Sequence, residues 1–174
     1  REKERGTIEQ INVSPLSSFE FILGKTIPYI LISLINAIIV LLAGYILFGI
    51  VIKGNMFLLL LGTLTFLFAA LGLGIFISTV ADSQQVAFQA ASVTSLLPSF
   101  ILSGFIFPVE TMPIAIQVLT NITPAKFYIV ILRAILLRGA GISAFWNQLI
   151  YLGIFGAIFI TLAIIVDKRS KGKN

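Results

Sequence analysis

The sequence lacks cysteine and histidine entirely over its 174 residues. Without cysteine there is no disulfide framework and no thiolate metal site, and cysteine usage gives no information about the redox compartment. Without histidine, the commonest metal ligand and the commonest general base are missing. An intramembrane enzyme would be left with serine and lysine chemistry, so this class of protein is disfavoured. We therefore expect no catalytic, cofactor-binding or metal site in the chain.

Charged residues are also scarce in this sequence. Only 11% of the residues are charged, against about 25% in soluble domains, and 58% are hydrophobic. The mean hydropathy is +1.07. The apolar runs are continuous and do not alternate with polar residues, which favours membrane-spanning helices over a β-barrel. The composition thus predicts an all-α integral membrane protein.

Four long uncharged runs separate the few charges. They contain 27, 28, 27 and 28 residues and lie between Lys25 and Lys53, Lys53 and Asp82, Asp82 and Glu110, and Arg138 and Asp167. Because about 20 apolar residues cross the hydrocarbon layer as a helix, each run is long enough for one span. The predicted spans cover about residues 26–52, 56–81, 86–107 and 145–166.

Basic residues cluster at both ends of the chain. Arg1, Lys3, Arg5 and Lys25 precede the first span, and Lys168, Arg169, Lys171 and Lys173 lie in the tail, residues 167–174. Since basic residues in short loops accumulate on the cytoplasmic side, four crossings predict that both termini are cytoplasmic. This topology also explains the net charge of +5, with the tail near anionic headgroups, so nucleic-acid binding is not expected.

The segment 108–143 differs from the spans because it is rich in proline and carries charges. Its apolar piece from 127 to 137 is interrupted by Arg133 and is too short to cross a membrane. Pro113 and Pro124 suit the first positions of helices, where a missing N–H costs nothing. The pattern predicts a re-entrant or interfacial helix pair on the outer side.

The first 25 residues are unusually charged, with six of the 19 charges in the first nine positions. Thr7 with Gln10, and Ser17 with Glu20, fit capping boxes, which predicts two short helices at the cytoplasmic surface, the second lying near the headgroups. A merely solvated juxtamembrane face is the favoured interpretation of such a charged run, and the spacing alone does not overturn it. The chain also does not begin with Met, and we expect it to be a piece of a longer polypeptide.

Polar residues inside the predicted spans are few. Small residues at i, i+4 spacing indicate helix packing seams, and this structural role is favoured over substrate contact. Some polar side chains are nevertheless candidates for a translocation route: Asn36, Gln89, Ser92, Ser95 and Ser99. For Asn36, an interhelical hydrogen bond is the favoured interpretation.

Two separated motifs resemble the ABC-2 type transporter permeases, closest to the bacterial exporters of drugs and lipid-like molecules. The first runs through residues 4–11, Ser14-Pro15 and residues 19–25. The second runs through residues 102–108, Met112-Pro113, residues 123–128 and residues 137–139. The resemblance implies that the chain is the last four of six spans, with a coupling segment before them. It also places Gly104, Pro108, Pro113 and Pro124 in the outer re-entrant segment.

The resemblance also implies partners. A separate ABC ATPase would contact the coupling residues Glu4, Arg5, Gly6, Thr7 and Glu9. The sequence has no G-x-x-x-x-G-K-[ST] loop, so ATP and Mg²⁺ would be held by that ATPase. A second permease half, identical or paralogous, would complete the route for an amphipathic or lipid-like substrate across the plasma membrane.

An ATP-independent secondary transporter or channel is the alternative. Ion-coupled carriers usually place a charged group near mid-membrane, and none of the four predicted spans contains one. This absence disfavours proton coupling but leaves sodium coordination by backbone or hydroxyl oxygens open.

Overall fold

The computed structural model describes residues 18–171 of the chain, with side chains at residues 24 and 26–167. Every regular element in this part is helical. Six α-helices follow one another: α1 (Ser18–Phe48), α2 (Met56–Val80), α3 (Gln84–Ile101), α4 (Ile114–Thr120), α5 (Pro124–Arg138) and α6 (Trp146–Lys171). Two short 3-10 turns, Val109–Thr111 and Ile142–Ala144, lie between them. The predicted all-helical class is confirmed for the described part.

Three helical stretches among the described residues are long and apolar enough to cross a membrane: Thr26–Phe48, Met56–Val80 and Trp146–Asp167. Helices α4 and α5 meet at a bend of 83° and would count as a fourth only if the bent pair were one span. Helix α3, which covers most of the predicted third span, is not among the three. Its 18 residues include three glutamines and four hydroxyl side chains, which lower its hydropathy. Helix composition therefore does not confirm the four-span arrangement.

Helix α1 continues without a break from Ser18 into the first candidate span, through the residues predicted to form a separate interfacial helix. It ends at Phe48, before the predicted end of the span at residue 52. Gly49 follows with φ of 63°, and its N–H donates to the Tyr45 carbonyl at 3.0 Å. A left-handed glycine is a common way to end a helix, because it has no Cβ to strain. The division of the chain at residue 25 stays a prediction.

Short polar caps begin α2 and α3. The Asn55 side chain accepts a hydrogen bond from the Phe57 N–H at 2.7 Å, and the Ser83 hydroxyl accepts one from the Val86 N–H at 3.2 Å. Each cap satisfies an N–H group that has no partner within the first helical turn. Both helices can therefore begin directly after the loops that precede them.

The apolar core lies where α2, α5 and α6 meet. Its buried members come from these helices and from the turn before α6: Leu59, Ala69, Ile131, Ala134, Ile135, Phe145 and Leu152. Helix α1, in contrast, contributes no fully buried residue to its candidate span. The structure thus has a tight three-helix centre with α1 and α3 packed more loosely beside it.

Helices α2 and α6 approach each other through glycine. A Cβ on Gly72 would come within 3.0 Å of the Gly156 carbonyl oxygen, and a Cβ on Gly156 would overlap the Phe68 ring and lie 3.1 Å from the Ala69 Cα. Further along, Phe76 packs edge-on to Phe159 with ring centroids 5.5 Å apart. Residue numbers rise together along the contact, so the two helices run in the same direction.

Helix α5 packs on the first half of α2 in the opposite direction. A Cβ on Gly54 would meet the Ile135 carbonyl oxygen at 2.8 Å, and a Cβ on Gly62 would meet the Ile131 side chain at 2.8 Å. As residue numbers rise in α2 they fall in α5. The carboxyl end of α5 therefore lies against the α1–α2 loop, residues 49–55, and its start lies further along α2.

Candidate functional site

The start of α5 is fixed to α2 by one aromatic residue. The Tyr128 ring stacks on Phe66 with centroids 4.4 Å apart, and its hydroxyl lies 2.9 Å from the Thr63 hydroxyl. Thr63 already donates its single proton to the Leu59 carbonyl at 2.8 Å, so Tyr128 donates to Thr63. This chain of hydrogen bonds ties α5 to a buried position of a candidate span.

We expect Tyr128→Phe to destabilise the protein modestly, because it keeps the stacked ring and removes the hydroxyl donor. Hydrogen bonds between membrane helices contribute about 0.6 kcal/mol on average and about 1.7 kcal/mol at most. Thermal unfolding of the Tyr128→Phe, Thr63→Val and double variants measures the coupling between the two side chains. Strictly additive effects would show that the hydrogen bond does not stabilise the fold.

A lysine holds the bend between α4 and α5. The Lys126 amino group donates to the Thr120 hydroxyl and to the Asn121 side-chain oxygen, each at 2.7 Å. Burial lowers the pKa of Lys126 from its ordinary value, and the charge of Glu110 opposes this shift. Because Thr120 and Asn121 lie at the carboxyl end of α4, the cation also interacts favourably with that helix end.

An arginine joins α5 to the turn after α3. The Arg133 guanidinium donates to the Gly104 carbonyl oxygen at 3.0 Å. Gly104 has φ of 77°, and a Cβ there would lie 3.1 Å from the Val109 side chain, so both conformation and space favour glycine. The segment 105–120 thus begins beside Arg133 and ends beside Lys126, so both of its ends are attached to α5.

The prolines of the predicted outer segment stand at helix starts. Pro108 precedes the turn Val109–Thr111, Pro113 precedes α4, and Pro124 is the first residue of α5. In each position the missing N–H has no partner to lose. With Gly104, all four predicted residues of this segment lie between the end of α3 and the first residue of α5.

Asn36 stands near the middle of the candidate span Thr26–Phe48, and its side chain is exposed on the surface of the chain. Within the described part its carboxamide makes no hydrogen bond, so the structure supplies no partner for the predicted interhelical bond. The other candidate route residues lie on α3. Ser92 and Ser99 are half-buried, and Gln89 and Ser95 are exposed.

The serines of α3 share one face. At about 100° per residue, Ser92, Ser95 and Ser99 fall within an arc of about 60°, and Gln89 lies about 60° to one side of Ser92. Three of the four candidates on this helix therefore form a hydroxyl stripe. Their role in transport stays a prediction.

Comparison with known proteins identifies the family. The family described as "ABC-2 family transporter protein" matches residues 1–165. The chain belongs to the ABC-2 transporter family. The Escherichia coli K12 protein named "Probable multidrug ABC transporter permease YbhR" is 34% identical over 149 residues, which cover 86% of this chain and 40% of the relative. The E. coli K12 "Inner membrane transport permease YhhJ" is 34% identical over 176 residues, covering 99% and 46%.

A third relative, the E. coli K12 "Probable multidrug ABC transporter permease YbhS", is 32% identical over 169 residues, covering 97% of this chain and 45% of the relative. This ABC-2 chain thus spans less than half the length of these permeases. No solved structure matches it. The family and the apolar helices together make it an integral membrane component of an ABC transporter, and the resemblance stated from the two motifs is confirmed.

The predicted ATPase-coupling residues of this ABC-2 chain lie outside the described residues: Glu4, Arg5, Gly6, Thr7 and Glu9. Among the residues that are described, no three His, Asp or Glu side chains are grouped so that they could hold a metal ion. The part of the candidate site that the structure brings together is therefore the connection from α3 through α5.

Sequence reasoning missed the two cations that organise this connection. In the sequence, Arg133 interrupts a short apolar piece and Lys126 belongs to a family motif, and neither pattern indicates a partner for the cation. A signal was available, because a cation within an apolar membrane segment usually has a functional or structural partner. The spacing of seven residues, two helical turns, also places Lys126 and Arg133 on one face of α5.

Proposed function

We propose that this chain is part of the permease subunit of an ABC-2 exporter, which moves an amphipathic or lipid-like substrate across the plasma membrane. The family match over residues 1–165 carries the proposal. The names of YbhR and YbhS include the words "probable multidrug", which supports an amphipathic cargo for this chain as well. The exposed apolar side chains of α1 and the mixed apolar and hydroxyl surface of α3 suit such a molecule.

We further propose four crossings, formed by α1, α2, α3 and α6, with α4 and α5 as a re-entrant pair. The contact register supports this arrangement: α2 and α6 run in the same direction, and α5 ends beside the α1–α2 loop. The Arg133 contact with Gly104 supports an entry of the pair on that same side. By the distribution of basic residues, both termini would then be cytoplasmic.

In this proposal a separate ABC ATPase binds ATP and Mg²⁺ and closes on the coupling residues of the permease. A short segment of mixed charge suits such a contact, because electrostatic complementarity fixes the partner and its orientation. A second permease half, identical or paralogous, would supply the other wall of the route. The unpartnered carboxamide of Asn36 supports a neighbouring membrane helix outside this chain, since an unsatisfied amide is costly in lipid.

The full-length permease and its ATPase, co-expressed and reconstituted in vesicles, test the proposal. We expect the two proteins to purify together and an amphipathic dye to accumulate in inside-out vesicles only when ATP can be hydrolysed. A catalytically inactive ATPase is the control. Dye movement driven by a sodium or proton gradient without ATP would overturn the proposal in favour of an ATP-independent carrier.

A further inference from the structure

Two cations on one face of α5 have donors to spare. Lys126 uses two of its three N–H groups on Thr120 and Asn121, and Arg133 uses one of its five on the Gly104 carbonyl. These acceptors are all uncharged. Among the described residues no carboxylate forms an ion pair with either cation.

The position of Arg133 in the bundle is given by its neighbours on α5. Ile131 packs on Gly62 and Ile135 packs on Gly54, so Arg133 lies level with the first turns of α2, where the apolar span begins. Lys126 lies seven residues earlier, which is about 10 Å along the helix axis. The Arg133 side chain is exposed on the surface of the chain. Its free donors are therefore accessible at the level where a span meets the lipid headgroups.

An exposed arginine at this level attracts an anionic partner. The Glu110 carboxylate acts on Lys126, but it does so only through space and is itself exposed. A guanidinium matches the geometry of a phosphate with two parallel hydrogen bonds, and a nearby ammonium adds charge without directional demands. The Lys126 amino group is held at Thr120 and Asn121, so it would attract a phosphate at Arg133 only through space.

We propose that the face of α5 bearing Arg133 and Lys126 binds the phosphate of an anionic membrane lipid. Arg133 provides the paired donors, and Lys126 adds a second positive charge from the deeper end of the same face. The bound phosphate would pair with Arg133 beside its contact with Gly104, where the segment 105–120 begins, and Lys126 would contribute long-range attraction. The lipid would thus stabilise the connection from α3 to the re-entrant pair.

Lipid retention by the purified full-length permease tests this site. The protein is reconstituted in phosphatidylcholine vesicles containing phosphatidylglycerol and extracted again, and the retained lipids are quantified by mass spectrometry. We expect Arg133→Gln to lower phosphatidylglycerol retention about tenfold, the double variant with Lys126→Gln to lower it further, and Arg133→Lys to keep most of it. Phosphatidylcholine retention should not change.

Arg138→Gln is the matched control, because Arg138 is an exposed cation on α5 that projects from a different face. It should retain phosphatidylglycerol as the unmodified protein does. Arg133→Gln also removes the contact to Gly104 and could weaken the fold. Arg133→Lys keeps the charge, and an unchanged size-exclusion elution profile of both variants shows that lost retention comes from lost charge and not from unfolding. Equal retention by Arg133→Gln and the unmodified protein would overturn the proposal.

Two further outcomes distinguish the source of the anion. Displacement of phosphatidylglycerol by inorganic phosphate would overturn the lipid assignment in favour of a free phosphate site. Loss of dye transport with unchanged lipid retention in Arg133→Gln would assign the anion to the transported molecule instead. Retention is measured without ATP or the ATPase, so this proposal fails or stands independently of the proposed transport function.

Discussion

Replacing Gly156 by leucine in the full-length permease is expected to abolish the packing of α2 against α6. Even a Cβ at this position would overlap the Phe68 ring and lie 3.1 Å from the Ala69 Cα. The partly exposed Phe68 ring can move, but the backbone of the fully buried Ala69 leaves no room for a leucine side chain. Overpacking of this kind costs about 3 kcal/mol, a large part of the stability of a typical domain. We expect the yield of monodisperse protein after detergent extraction to fall severely, and the unfolding temperature of any remaining protein to drop.

Gly153→Leu is the matched control on the same helix. A Cβ on Gly153 would meet no atom within 4 Å, so a leucine side chain there starts in open space. This variant should extract and unfold like the unmodified protein. Equal yields and equal unfolding temperatures for Gly153→Leu and Gly156→Leu would show that α2 and α6 do not approach each other closely at Gly156.

Reversing the charge of Glu9 is the second substitution with a large expected effect, and it tests the proposed ATPase contact. Truncating one partner of a hydrogen-bonded charge pair at an interface costs about 2–5 kcal/mol, and a reversed charge adds repulsion. We expect Glu9→Arg to lower co-purification of the ATPase and ATP-dependent dye transport by at least about tenfold.

Glu2→Arg is the comparison for Glu9→Arg, because it makes the same charge change in the same segment outside the five proposed coupling residues. Transport and ATPase binding should change little in this variant. Phosphatidylglycerol retention should be unaffected in both. Unchanged ATPase co-purification and ATP-dependent dye transport in Glu9→Arg would exclude Glu9 from the ATPase contact.

Much of the helical content could be predicted from single residues because local signals decide it. Pro124 begins α5, and the predicted second span, residues 56–81, closely matches α2. The polar composition of α3 is visible in the sequence as well, and it makes this helix less apolar than the three candidate spans. Charge spacing alone could not anticipate this, because an uncharged run can still be rich in amides and hydroxyls.

The contacts of the candidate site could not be predicted in the same way. Tyr128 and Thr63 are 65 residues apart in sequence, and Arg133 and Gly104 are 29 apart. Which hydroxyl or carbonyl meets which donor depends on the register of packed helices, which no local pattern specifies. The ladders of small residues predicted helix seams, but not that Gly156 would meet Phe68.

The sequence by itself determined that this protein is helical, lies in a membrane and belongs to the ABC-2 family, because hydropathy and motif order are properties of the chain alone. The tertiary structure alone decided that α5 runs back along α2 and that Lys126 and Arg133 tie down the connection from α3. The physical reason is that apolar helices of similar composition can pack in many registers. Only the fit of particular side chains, such as Ile131 against Gly62, selects one of them.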